Sequence, residues 1–260
     1  MRPLCKEGKG SGRRTAALLL VLLLLPVQAA AERPFGTGER LDFDVYYGPL
    51  KAGSATMEVG PVSTLRGREV LRLTSTARSG RVISAFFPVR DRVHSYLDVE
   101  ALRPLRFEKH LREGRYECDR VVDFYHGEGV ALSGDRTIEI TERTMDALSA
   151  LYWVRTEPLP PGRTLWVAST SSREPYDLRV DVTHRETLRT PAGEFDCVVV
   201  EPHLARDGGI FDHKGRMWIW LTDDALHLPV QMVTEVAIGS IRAVLVDHVL
   251  GAVASGEVHE

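Results

Sequence analysis

The sequence predicts an all-β, antiparallel fold, a single curved sheet or half-open β-barrel with one main α-helix. Three observations predict it. Apolar and polar residues alternate with period two along most of the chain after residue 40. Turn signals separate the alternating runs, and only one long segment carries a helical period. Alternation of that kind gives strands one buried and one wet face.

The first run sets Leu41, Phe43, Val45 and Tyr47 against Asp42, Asp44 and Tyr46, and ends at Gly48-Pro49. Leu71 and Leu73 alternate with Arg72 and Thr74. Val93, Ser95, Leu97 and Val99 alternate with His94, Tyr96 and Asp98. Leu105, Phe107 and Leu111 alternate with Arg106, Glu108 and His110. The segment 116–124 then places Tyr116, Cys118, Val122 and Phe124 on one face. Later runs are Leu178, Val180 and Val182, and then 195–199. Gly60-Pro61, Arg66-Gly67, Glu113-Gly114, His126-Gly127, Ser133-Gly134-Asp135, Thr190-Pro191-Ala192-Gly193 and Asp207-Gly208-Gly209 are the turns between them. Strands at this spacing make a meander, sandwich or barrel. No fixed-period repeat is present, which disfavours a propeller or solenoid.

The helical segment is 144–156. Thr144 is placed to cap it and Asp146 lies in its first turn. Leu148, Leu151, Tyr152 and Arg155 fall at i, i+3, i+4 and i+7. Pro158, Pro160 and Pro161 stop it. A shorter helical turn is expected over 81–87, ended by Pro88. The long helix divides two strand sets, 38–140 and 163–250, with no linker that would separate domains, so residues 32–260 are expected to form a single β-rich domain.

Residues 1–31 read as a secretory signal peptide. Arg2, Lys6, Lys9, Arg13 and Arg14 precede an apolar run over 16–25, and Pro26 and Ala29-Ala30-Ala31 follow. The run is too short to span a bilayer as a helix. Cleavage is expected near Ala31-Glu32, with release to the periplasm or outside the cell. Five of the 33 basic and one of the 36 acidic residues lie in this leader, which leaves 28 and 35 and a net charge of −7. That balance argues against nucleic acid and against anionic membrane surfaces. No later apolar run reaches membrane-spanning length, so no transmembrane segment is expected in the mature chain. An outer-membrane barrel is disfavoured by charges on both faces of many strands and by the lack of an aromatic girdle.

Cys118 and Cys197 remain after cleavage, and both lie on the apolar side of strand-like runs. Two cysteines in an oxidising compartment make a disulfide a candidate, against the alternative of two buried thiols. No C-x-x-C, nucleophile elbow, H-E-x-x-H motif or Gly-rich phosphate loop is present, so no catalytic residue, metal or cofactor is assigned. His203, Asp212 and His213 form the one local grouping of metal-type ligands, and it is read as a solvated polar loop rather than a metal site, which would need partners from elsewhere. Asp223-Asp224 reads as a turn.

In Met217-Trp218-Ile219-Trp220-Leu221 both faces are apolar, so something must cover each. A core helix and a loop would do so, and so would a bound apolar ligand against Trp218 and Trp220. Tyr152 and Arg155, on the apolar stripe of the helix, complete this candidate ligand set. Arg155 is also explained as a cation at a helix C-terminus, and Asp146 as an acid at its N-terminus.

Several motifs together resemble a family of exported bacterial proteins, the domain-of-unknown-function family 3108. They are Gly38-Glu39-Arg40-Leu41-Asp42-Phe43-Asp44-Val45 with Gly53, Asp146-Ala147-Leu148-Ser149-Ala150-Leu151-Tyr152-Trp153-Val154-Arg155, and Thr190-Pro191-Ala192-Gly193-Glu194-Phe195. The last runs from Trp218 through Asp223-Asp224 to Pro229-Val230, with Gly239 and Leu245 beyond. The resemblance implies an exported antiparallel β-protein with no assigned activity, similar in fold to the half-open barrels of periplasmic lipoprotein carriers. Three functions stay open: a non-enzymatic carrier for an apolar small molecule or lipid, an interaction module with an envelope protein partner, and a hydrolase built from dispersed residues. An accessible apolar cavity favours the first, a filled core with an exposed apolar patch the second, and a cleft of shifted ionisable groups the third.

Overall fold

The computed structural model describes residues 33–170, 174–203, 215–236 and 238–252. The strands are β1 (Arg40–Tyr47), β2 (Leu50–Leu65), β3 (Arg68–Ser79), β4 (Arg90–Asp98), β5 (Pro104–Glu113), β6 (Tyr116–Tyr125), β7 (Val130–Ser133) and β8 (Arg136–Glu139). They continue with β9 (Thr164–Thr170), β10 (Pro175–Thr190), β11 (Gly193–His203), β12 (Met217–Thr222), β13 (Pro229–Glu235) and β14 (Ser240–Val249). Helix α1 (Arg81–Ser84) lies between β3 and β4, and α2 (Ala147–Val154) between β8 and β9.

All fourteen strands form one open antiparallel sheet in the order β8-β7-β6-β5-β4-β3-β2-β1-β14-β13-β12-β11-β10-β9. Each neighbour is the next strand in sequence except at the centre, where β1 pairs with β14. The two ends of the domain thus meet in one ladder, with Leu41 opposite His248 and Phe43 opposite Leu245 across a bulge. The sheet's two free edges are β8 and β9, and α2 carries the chain between them, packing on β3, β4 and β9.

The alternating residues explain why the sheet curls around α2. Leu41, Phe43, Met57, Val59, Leu71, Leu73 and Leu97 form one buried cluster with Leu148 and Tyr152 of the helix. Ala150 and Val154, on the helix's other side, pack with Leu165, Val167, Val180, Val198, Val200, Ile219 and Leu221. A third cluster, Phe107, Val122, Phe124, Ala131 and Ile138, closes the β5–β8 end. Among the described residues no helix is long and apolar enough to cross a membrane.

The helix starts later than the sequence predicts. Asp146, not Thr144, is its N-cap: the carboxylate accepts from the Leu148 and Ser149 amides at 2.8 and 2.9 Å, and the Ser149 hydroxyl accepts the Asp146 amide in return. Thr144 instead accepts the Thr141 amide at 2.9 Å. The short helix α1 is likewise a single turn within the predicted 81–87.

Cys118 and Cys197 are both free, which corrects the expected disulfide. Their strands, β6 and β11, lie in opposite halves of the sheet. Cys118 sits opposite Leu111 and Cys197 opposite Thr222. Burial pushes the Cys197 thiol up to about 11, so it stays protonated and packs as a small apolar group.

Candidate functional site

The four side chains expected to contact a ligand fall into two places. Arg155 and Tyr152 are 1 and 0 % exposed. The Arg155 guanidinium holds the Glu39 carboxylate through Nη1 and Nη2 at 2.7 and 2.8 Å, and also donates to the Pro34 carbonyl at 3.0 Å and the Leu226 carbonyl at 3.3 Å. The rings of Phe35 and Tyr152 lie 5.4 and 5.0 Å from its Cζ. His227 Nδ1–H donates to the Arg155 carbonyl at 2.8 Å. Burial, and then the Glu39 charge, raise the Tyr152 phenol well above its usual pKa. Arg155 is therefore not a solvated cation at a helix end. It clamps the segment before β1, the end of α2 and the β12–β13 turn, and a buried pair that well hydrogen-bonded satisfies both charges internally.

Trp218 and Trp220 are half-buried on the face of β12 opposite Ile219 and Leu221. Arg216 stacks on Trp218 at 4.6 Å while holding Glu201 at 2.7 and 2.8 Å. The Trp220 indole N–H donates to the Glu186 carboxylate. Long polar side chains thus cover part of the second apolar face of this strand, and Trp220 also packs against the cluster that contains Cys197. The structure brings the tryptophans together on one surface but places Tyr152 and Arg155 elsewhere, in the packed interior. His203 pairs with Asp181 at 3.0 Å; Asp212 and His213 lie outside the described residues. Among the described residues no group of three or more metal-type ligands is present.

A different site emerges on the polar face of β1–β5. Alternation places Arg72, Thr74, Thr76 and Arg78 of β3 opposite in direction to Leu71 and Leu73, and the neighbouring strands bring polar residues into register with them. Thr56, Thr76, Arg92, His110 and Asp119 form one row across five strands. In the next row Ser54, Arg78 and Arg90 are directly opposed. A groove of about 560 Å³ runs over Ser54, Thr56, Arg72, Thr76, Arg78 and Arg92. It continues into a second of about 620 Å³ over Arg90, Asp91, Arg92, His110, Arg112 and Asp119. Burial lowers the His94 pKa, and Arg72 and Arg92 push in the same direction, with Glu108 opposing. Thr74 Oγ1 lies 3.0 Å from His94 Nδ1.

The groove opens toward one rim, formed by the β1–β2, β3–β4, β5–β6 and β13–β14 turns. Their shared end follows from the pairing of Gly53 with Ser79, Tyr47 with Ile241, and Val89 with Glu113. This rim exposes the three least covered large apolar side chains of the described residues: Phe86, Ile238 and Val82, at 86, 79 and 72 %. Just inside it, burial raises the Asp91 carboxyl, against the lowering effects of the Arg112 amide, Glu113 and Lys109. The local sequence carried a usable signal for this site: Arg78, Arg81, Arg90 and Arg92 surround Phe86-Phe87 with Asp91 as their one acid.

One solved structure agrees with this architecture, and two others are similar to the chain in coverage alone. A β-barrel-like protein of the domain-of-unknown-function family DUF1849 from Brucella abortus has a TM-score of 0.55 at 10% identity, covering 84% of this chain and 99% of its own. A candidate exported protein with a YmcC-like fold from Bacteroides fragilis has a TM-score of 0.39 at 14% identity, covering 84% and 98%. A candidate lipoprotein from Parabacteroides distasonis scores 0.39 at 12% identity, covering 84% and 99%. No curated protein matches the chain. The Brucella likeness is one of fold. The profile of the family described as Protein of unknown function (DUF3108) matches residues 42–246, from β1 through β14, and the chain belongs to that family.

Proposed function

We propose that this protein is an exported, non-enzymatic interaction module of the cell envelope, which docks through the rim around the β3–β4 turn. The observation that carries the reading is the exposure of Phe86, Ile238 and Val82 on a single rim, while Tyr152 and Arg155 of the expected ligand set are buried in the interior. Phe86 and Val82 lie together on the β3–β4 connection, and Ile238 stands on the β13–β14 turn of the same rim, with β1 and β2 between them; exposed apolar side chains that share one surface mark an interaction site. Export rests on the leader at residues 1–31, with a mature start near Glu32 that N-terminal sequencing checks.

The carrier reading loses support because Tyr152 is fully buried in the core and Arg155 is committed to Glu39. Two measurements separate the readings. Wild-type protein should fractionate with the envelope, while a Phe86→Asp/Ile238→Asp variant should keep its urea midpoint and appear in the soluble fraction. Native mass spectrometry of protein taken from its own compartment should give the mass of the chain alone. A retained apolar molecule together with unchanged fractionation of the variant would overturn the proposal in favour of a carrier.

A further inference from the structure

We infer that the partner of this rim is an anionic phospholipid surface: Phe86 and Val82 enter the interface while Arg78, Arg81, Arg90 and Arg92 meet lipid phosphates. The inference rests on the docking reading above and names its partner.

The β3–β4 loop is held in place by its own hydrogen bonds. The Gly80 amide donates to the Ala52 carbonyl at 2.6 Å and the Val89 amide to Ser79 Oγ at 2.8 Å. The Ser79 and Ser84 hydroxyls are 2.6 Å apart, and the Gly114 amide donates to the Pro88 carbonyl at 2.8 Å. Phe87 lies against Gly114 so closely that a Cβ there would come within 2.6 Å of its ring. Gly114 also has φ +61°, a left-handed conformation that suits glycine. One aromatic side chain thus fastens the loop to the β5–β6 turn. That fastening holds its neighbour Phe86 away from the protein, although a Phe free to collapse would gain by burial. An ordered loop has already lost the entropy that docking would otherwise cost.

The loop is also flanked by unpaired positive charge. Several arginines elsewhere on the strands have acidic partners: Arg40 with Asp42, Arg106 with Glu108, Arg112 with Asp119, Arg179 with Asp181 and Arg185 with Asp223. Among the described residues Arg72, Arg78, Arg90 and Arg92 have no ion-pair partner, and Arg78 stands directly opposite Arg90. Like charges directly opposite destabilise a sheet. Asp91, the acid between Arg90 and Arg92, accepts the Arg112 amide at 2.9 Å and neighbours Glu113. The chain after the leader is acidic overall, at −7, so this basic patch is local and departs from what the whole-chain balance predicts. Arginine's planar fork suits phosphate oxygens, and the groove beside the loop has room for a headgroup. Basic residues next to apolar anchors form the two-part signal of interfacial binding.

The test uses the exported protein and vesicles of either pure phosphatidylcholine or an equal mixture with phosphatidylglycerol. Wild-type protein should sediment with the mixed vesicles, less so at high salt, and not with phosphatidylcholine alone. Arg78→Gln and Arg92→Gln should each weaken partition about fivefold. In a Phe86→Trp variant the new indole should shift its emission to the blue on mixed vesicles. Equal sedimentation with both vesicles, or no blue shift, would overturn the inference. So would release by millimolar inorganic phosphate with no effect of Phe86→Ser, since the groove would then be a free-phosphate site. If vesicles fail while Phe86→Asp/Ile238→Asp still leaves the envelope fraction, the partner is a protein. Only the lipid assignment falls in that case.

Discussion

Arg155 is the side chain with most at stake in the interior. Its partner Glu39 is 116 residues away in sequence, and both are almost fully buried. Removing one member leaves the other charged, desolvated and unpaired, so Arg155→Met or Glu39→Gln should cost about 3–5 kcal/mol by urea unfolding. Replacing both by apolar residues of similar volume should recover most of that loss. A cost below about 1 kcal/mol for either single variant would show the pair to be solvated. Trp220 behaves differently. It is half-buried and tied to Glu186, so Trp220→Ala should cost about 2 kcal/mol, less than the loss of a fully buried aromatic. This contrast shows where sequence reading stops. Trp218 and Trp220 on a two-faced apolar strand were visible from spacing alone. The burial of Arg155 was not, because a long-range ion pair leaves no periodic trace and a cation at a helix end has an ordinary explanation.

At the level of elements, many strands were legible because their burial repeats every two residues, as in β5, whose pattern alternates from Leu105 to Glu113. The pairing of β1 with β14 was not, since nothing local records which strand lies beside which. Nor did the sequence show how the free edge of β9 is covered. The Met145 amide donates to the Ala168 carbonyl at 2.8 Å and the Thr170 amide to the Met145 carbonyl at 3.0 Å, so the residue before the α2 cap blocks part of an exposed ladder. The cap itself was misread because Thr144 and Asp146 are both good N-cap types. Tertiary contact decides between them: Ser95 on β4 donates to the second Asp146 oxygen at 2.6 Å. Asp146 thus joins the helix start to the sheet, and Asp146→Ala should cost about 2 kcal/mol or more, from the lost cap and an orphaned Ser95 hydroxyl. Asp146→Asn keeps one acceptor and should cost less. Equal stability of both variants with wild type would mean that the cap does not hold α2.

For the whole molecule, the distribution of carboxylates sets the response to acid. The Arg112 guanidinium, and then His110, hold Asp119 down to about 2. The Arg216 hydrogen bond lowers Glu201. Burial alone would raise Asp98 and Asp181, but Arg68 with two backbone amides outweighs it at the first, and Arg179, Thr164 and His203 at the second. Each of these four is depressed in the folded state, so each contributes stability that is present above the unfolded carboxylate value, about 4, and is lost as pH falls through the folded value. Asp91 and Asp146 are raised by burial and act in the opposite sense, their cost appearing as pH rises. The depressed set is larger and lies on β4, β6, β10 and β11, across both halves of the sheet, so acid should weaken the whole fold together. Urea midpoints should be level near neutral pH and fall steadily from about pH 4 down to about 2. Asp98→Asn should remove one contributor, lowering stability near neutral pH while flattening the acid limb. A wild-type midpoint that stays constant down to about pH 2 would show that these ion pairs are screened at the surface and contribute nothing to folding.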